Sequence, residues 1–172
     1  MRYNVAQLLK EPIGAVRHYE EDEDVSRLDP AIVPTSLLRS NLTLLRTDRG
    51  ILVTGHLGVL VQMSCSRCLE PVEVRLDVDV EEQFYPTVDV ITGRMLPVDE
   101  EDQALWIDAH HILDMTEVVR QDLLLALPLH PLCRDDCAGI CPYCGQNLNE
   151  GPCDCQANDI DPRWSALLDL KP

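Results

Sequence analysis

Val72-Glu73-Val74-Arg75-Leu76-Asp77-Val78-Asp79-Val80-Glu81 decides the fold class. Apolar and charged residues alternate without a break, the period of a strand with one buried face and one wet face. Upstream, Ile51, Val53, Leu57, Val59, Val61 and Met63 repeat that period across Gly55. Leu42 to Leu45 predicts a shorter strand before an Asp48-Arg49-Gly50 turn. Neighbouring strands of this kind make an antiparallel meander. Cys65 and Cys68 fall at one of its tight turns, because Pro71 opens the next strand directly after them.

Beyond the strands, Asp114-Met115-Thr116-Glu117 resembles a capping box, and a helix is expected over 115–126, stopping before Pro128. The stretch 86–105 reads as loop, with Pro86, Gly93 and Pro97. Asp161-Pro162 pairs an N-cap with a proline at the first helical position. A short helix from Pro162 to Leu170 is expected to end the chain, docking through Trp164, Leu167, Leu168 and Leu170. The predicted fold is α+β: an antiparallel β-sheet or partly open barrel with one packing helix, then a cysteine-rich zinc-knuckle tail and a short C-terminal helix. The expected domains are residues 1–131 and a zinc-binding appendix over 132–172. A chain of 172 residues suits one domain with a small appendix.

Eight cysteines carry the chemistry: Cys65, Cys68, Cys133, Cys137, Cys141, Cys144, Cys153 and Cys155. The N-terminal residues lack the apolar segment of a signal peptide, so a cytoplasmic setting is expected. There, clustered cysteines point to metal rather than disulfides. Zinc takes four thiolates in a tetrahedron, so eight cysteines suffice for two closed sites. Cys141-Pro142-Tyr143-Cys144-Gly145 is the sharpest motif, a knuckle whose glycine permits the tight turn. Cys153-x-Cys155 is less standard, because one intervening residue strains two bonds to one ion. A thioredoxin-like role for Cys65 and Cys68 would need a helix after the pair, and a strand follows instead. Cys137-x3-Cys141-x2-Cys144 has the spacing of a radical-SAM iron–sulfur motif, without the barrel such enzymes use. Rubredoxin-like iron is compatible with the same ligands.

Charge sets the partner class. The net charge is −16, and only Lys10 and Lys171 are lysines. Nonspecific nucleic-acid affinity rests on Lys and Arg neutralising phosphates, so direct RNA binding is disfavoured and a basic protein partner is favoured. Glu20 to Asp24 and Asp99 to Asp102 are acidic runs that read first as solvated loops and second as contacts for such a partner. No apolar run is long enough to span a membrane. His110 and His111, like His18, His56 and His130, sit in no catalytic constellation and read as exposed or capping residues. No phosphate-binding glycine loop is present.

The segments Leu127 to Cys133, Asp136 to Asn149 and Asp161 to Leu170, with Cys65 to Leu69 and Leu8 to Gly14, resemble the YceD family over nearly the whole chain. That resemblance implies a bacterial or plastid factor needed for accumulation of large-subunit ribosomal RNA, with no enzymatic activity. Its gene commonly neighbours that of a small, basic ribosomal protein. The expected function is an accessory role in large-subunit biogenesis, through a basic ribosomal protein or a pre-ribosomal particle; a thiol redox or rubredoxin-like iron protein is the alternative. Two zinc sites of four thiolates would take the charge from −16 to about −20, which suits an acidic holder. The expected grouping is Cys141, Cys144, Cys153 and Cys155 in one site and Cys65, Cys68, Cys133 and Cys137 in the other. The competing grouping places Cys133, Cys137, Cys141 and Cys144 together.

Overall fold

The computed structural model describes residues 1–97 and 100–155. Its elements are β1 (Arg2–Asn4), α1 (Ala6–Lys10), β2 (Val16–Glu23), β3 (Leu38–Arg46), β4 (Ile51–Ser64), β5 (Pro71–Pro86), a 3-10 turn (Glu100–Leu105), β6 (Trp106–Ile107), β7 (Ile112–Asp114) and α2 (Thr116–Ala126). The strands join in one curled sheet, a half-barrel, in the order β1-β7-β6-β5-β4-β3-β2.

The alternating stretches form its spine. β4 and β5 pair antiparallel from Ile51 opposite Phe84 to Ser64 opposite Pro71. Val53, Leu57, Val59 and Val61 turn inward with Leu76, Val80 and Phe84, all buried. The inward position between Val53 and Leu57 belongs to Gly55, and for a steric reason. A Cβ there would lie 2.1 Å from the Asn41 carbonyl oxygen and 2.8 Å from the Leu42 side chain. β3 adds Leu38, Leu42 and Leu44 to the same face, and α2 covers it with Val118, Val119 and Leu123. α2 starts one residue later than expected, with the Asp114 carboxylate accepting the Thr116 amide at 2.9 Å. Arg120 then ties the helix to the loop before β3, through an ion pair to Asp29 at 3.1 Å.

Three features depart from the sequence reading. The sheet is mixed rather than antiparallel, because β6 runs parallel to β5, Tyr85 opposite Trp106. A parallel neighbour needs a crossover, and the stretch between β5 and β6 read as plain loop supplies it. The acidic run read as a solvated loop is strand through Glu23, since β2 pairs with β3 from Val16 opposite Leu45 to Glu23 opposite Leu38. A second helix, α1, seals one end of the core with Leu8 and Leu9. The expected helix at Pro162–Leu170 lies outside the described residues.

The outer face of the sheet is charged. Arg75 donates to both Asp77 oxygens, at 3.0 and 2.8 Å. His56 lies between Asp79, at 3.0 Å from its Nδ1, and Asp77, at 3.4 Å from its Nε2. The Asp79 hydrogen bond raises the His56 pKa above its ordinary value. A raised pKa means that this contact supports the fold below about pH 6.5 and stops doing so as pH climbs through the folded-state value. An NMR titration is expected to place the His56 midpoint above that of a free histidine, and Asp79→Asn to bring it back. An unshifted wild-type midpoint would refute the contact.

Candidate metal centres

Both Cys-x2-Cys segments fold into the same turn, although only one has a glycine. In the first, the Cys65 amide donates to Glu70 O at 2.8 Å and the Leu69 amide to Cys65 O at 3.0 Å. In the second, the Cys141 amide donates to Gln146 O at 2.8 Å and the Gly145 amide to Cys141 O at 2.9 Å. The residue after the second cysteine must then be left-handed, and it is: φ is 64° at Leu69 and 73° at Gly145. For a leucine that conformation costs about 1–2 kcal/mol. Leu69 is also exposed, so its side chain recovers little by packing. Leu69→Gly is therefore expected to leave stability unchanged or raise it by up to about 1 kcal/mol, the glycine's unfolded-state entropy offsetting part of the gain. Urea unfolding measures this, and a clear loss would show that the side chain makes a contact of its own.

The turn also steadies sulfur. Amides of Cys68 and Arg67 lower the Cys65 thiol to about 6. Amides of Cys144 and Tyr143 do the same for Cys141, again to about 6. The first cysteine of each pair is thus held ready as a thiolate. Loss of water around the sulfur and hydrogen bonding with Cys137 and Cys68 push the Cys133 thiol up to about 12, although the residue as a whole is exposed. Hydrogen bonding with Cys144 pushes Cys155 up to about 12.

The chain brings the eight cysteines into two groups, Cys65, Cys68, Cys133 and Cys137, and Cys141, Cys144, Cys153 and Cys155, with the sulfurs of each group within 4.8 Å of one another. None is in a disulfide. In the first group Cys65 and Cys137 are 3.8 Å apart at sulfur, and Cys68 and Cys133 3.6 Å. Four sulfurs at about 2.3 Å from a shared centre in a tetrahedron stand about 3.8 Å from one another. The donor set and spacing therefore fit a tetrahedral thiophilic ion. Four protein ligands leave no open position, so such an ion would hold structure rather than bind substrate.

The first group joins parts of the chain far apart in sequence. Backbone bonds run from the Ser66 amide to Pro131 O at 2.8 Å and from the Ile140 amide to Arg67 O at 3.1 Å. The Arg67 guanidinium donates to Cys137 O at 3.0 Å. Gly139 fits under this turn with φ 77°, where a Cβ would come within 3.1 Å of Arg67 O. Cys65, Cys68 and Cys137 are buried there with Leu132 and Ile140, in a small apolar cluster separate from the main core. The second group is more open: Cys141 is buried, but Cys144 and Cys155 are exposed.

Sequence reasoning missed Asn149. Its Oδ1 accepts the Ala138 amide at 2.8 Å and the Arg134 guanidinium at 2.7 Å. Its Nδ2 donates to Cys137 Sγ at 3.3 Å, which lowers the Cys137 thiol pKa. Nothing in the local pattern around Asn149 announces a role that depends on a contact twelve residues back. His110 and His111 form the turn between β6 and β7, where the Asp108 carboxylate accepts the amides of His110 and Ile112 at 2.8 Å.

The family profile for the large ribosomal RNA subunit accumulation protein YceD matches residues 53–171, more than half of the chain and including all eight cysteines. An uncharacterised protein of Mycobacterium tuberculosis is 29% identical over 174 residues, covering 99% of this chain and 81% of its own. One from Mycobacterium leprae is 31% identical over 127 residues, 70% of this chain and 52% of its own. A chloroplast protein of Arabidopsis thaliana, named as a YceD homologue for large ribosomal RNA subunit accumulation, is 29% identical over 72 residues, 38% of this chain and 22% of its own. No solved structure matches. With most of strand β4, strand β5, helix α2 and both cysteine groups inside the matched span, the chain belongs to the YceD family.

Proposed function

We propose that this protein supports accumulation of large-subunit ribosomal RNA in the cytoplasm, not as an enzyme but as a holder for a basic ribosomal protein or pre-ribosomal particle. The family match carries the first half of this reading. The charge of −16 carries the second, because a surface that repels phosphate attracts a cationic ribosomal protein and masks it from RNA. Of two zinc ions, one in each cysteine group, the first fixes the segment after α2 against the β4–β5 turn and the second closes that segment on itself. Zinc supplies there a redox-inert tetrahedral cross-link. No helix among the described residues is long and apolar enough to cross a membrane.

The test is affinity capture of the protein from growing cells, with ribonuclease treatment of half the sample. A small basic ribosomal protein retained in both halves is the expected result, together with a fall in large-subunit ribosomal RNA on depletion. Recovery of ribosomal RNA without any ribosomal protein would overturn the holder mechanism. Unchanged ribosomal RNA on depletion would overturn the role itself.

A further inference from the structure

We infer that the free edge of β2 is a docking strand for an extended, arginine- or lysine-rich segment of a partner protein, which would add to the sheet as a further strand. This rests on the client reading above and names the surface that serves it.

The edge is open. Among the described residues β2 closes the sheet on one side and pairs only with β3. The Arg46 amide donates to Ala15 O at 2.8 Å, and the Ser40 hydroxyl to Glu21 O at 3.1 Å. In an antiparallel pair the backbone groups of successive residues point alternately to the two sides. Arg17, Tyr19, Glu21 and Glu23 therefore direct theirs to β3. His18, Glu20 and Asp22 direct theirs outward, and among the described residues no backbone bond reaches them. Among the described residues the N-terminal segment approaches β2 on the inner face: the Met1 amine pairs with Glu23 at 3.1 Å, the Tyr3 hydroxyl donates to Glu21 at 3.1 Å, and the Tyr3 and Tyr19 rings lie 4.7 Å apart.

The edge also selects its partner. An uncovered strand invites self-pairing, and proteins prevent that with charge. Here the second half of the strand carries one sign, Glu20 to Asp24 being consecutive acids, while Arg17 in the first half is paired with Glu11. A second copy paired antiparallel about Glu20 would set Glu20 against Glu20 at the centre, which is destabilising. A basic strand meets the same row with opposite charge, the main chain supplying affinity and the side chains specificity. The carboxylates on the outer face are weakly engaged, Glu20 with Asn41 Nδ2 at 3.3 Å and Asp22 with Arg39 at 3.8 Å. Beside them a groove of about 920 Å³ opens over Gly58, lined by Glu20 and Asp22 and by Arg39 and Arg75, each arginine paired with an aspartate, and it gives a long side chain room to lie across the sheet.

The test uses the full metal-loaded chain and a labelled twelve-residue peptide of alternating arginine and valine. Hydrogen exchange is expected to slow at His18, Glu20 and Asp22 on adding the peptide. Glu20→Pro deletes one outward amide and spares the ladder to β3, as proline on an edge strand can. It should weaken binding at least tenfold with little change in melting temperature. Glu20→Lys with Asp22→Lys, which leaves the backbone untouched, should weaken it as much. The peptide N-methylated at alternate residues should not bind. Equal binding by that peptide, or protection elsewhere in the chain, would overturn the inference. Affinity capture with Glu20→Pro separates it from its parent reading. A basic ribosomal protein held equally by wild type and variant overturns the edge site alone. None held by wild type overturns the client reading, and the peptide result then decides the edge by itself.

Discussion

Cys65→Ala is expected to leave one metal ion per chain, against an expected two in the wild type. Native mass spectrometry of protein purified without added metal reads this directly, and the same spectrum tells zinc from iron. Cys65 is fully buried and sits 3.8 Å at sulfur from Cys137, so alanine removes one of the four sulfurs that would hold the ion. Structural zinc in small sites contributes about 10–16 kcal/mol to folding. Losing it here should free the segment after Pro131, because the bonds from Ser66 to Pro131 and from Ile140 to Arg67 have only the small cysteine cluster behind them. Exchange at the Ser66 and Ile140 amides should accelerate by roughly a hundredfold or more, the signature of local opening. Cys155→Ala is the contrast. It should also cost one metal ion, but it lies in the open group and should leave those amides protected. If Cys65→Ala released no ion relative to the wild type, the competing grouping of Cys133 with Cys137, Cys141 and Cys144 would replace this one.

The parts of this fold that could be read from sequence are those where one residue pattern has one physical cause. β5 alternates because one face meets the core and the other meets water, and nothing local disturbs it. The Cys65 turn was legible because a proline opens a strand immediately after it. β2 was not legible. Its strand is exposed on nearly every residue, so no apolar period marks it, and its acids have low intrinsic preference for strands. Only the ladder to β3 makes it a strand. β1, β6 and β7 span two or three residues each, too short for any period. In the cysteine groups, the two sets of four were legible, since two Cys-x2-Cys turns and eight cysteines in all leave few ways to bring the sulfurs together in fours. The left-handed Leu69 was hidden because leucine does not signal that conformation as Gly145 does. Asn149 was hidden because its partners lie along a folded path rather than in a motif.

Phe84→Ala tests whether the two apolar clusters are one cooperative unit. Phe84 is the sole phenylalanine and is fully buried, opposite Ile51 where β4 begins. Truncating such a side chain costs about 3–5 kcal/mol, lost transfer energy plus the cavity left behind. That is a large share of the roughly 5–15 kcal/mol that holds a domain together. The melting temperature should fall by on the order of 10 °C. Phe84 packs in the main core, whereas Cys65, Cys68 and Cys137 form the separate cluster with Leu132 and Ile140. At temperatures well below the new transition the variant should therefore still carry two metal ions, and Ser66 and Ile140 should remain protected. Cys65→Ala gives the reverse pattern, loss of metal and local opening with the main core intact. Observing both patterns would establish a half-barrel that folds on its own hydrophobic terms and a metal clamp that fixes the following segment to its β4–β5 turn. Metal loss in step with the Phe84→Ala transition, at every temperature, would instead show that the clamp and the core share one stability.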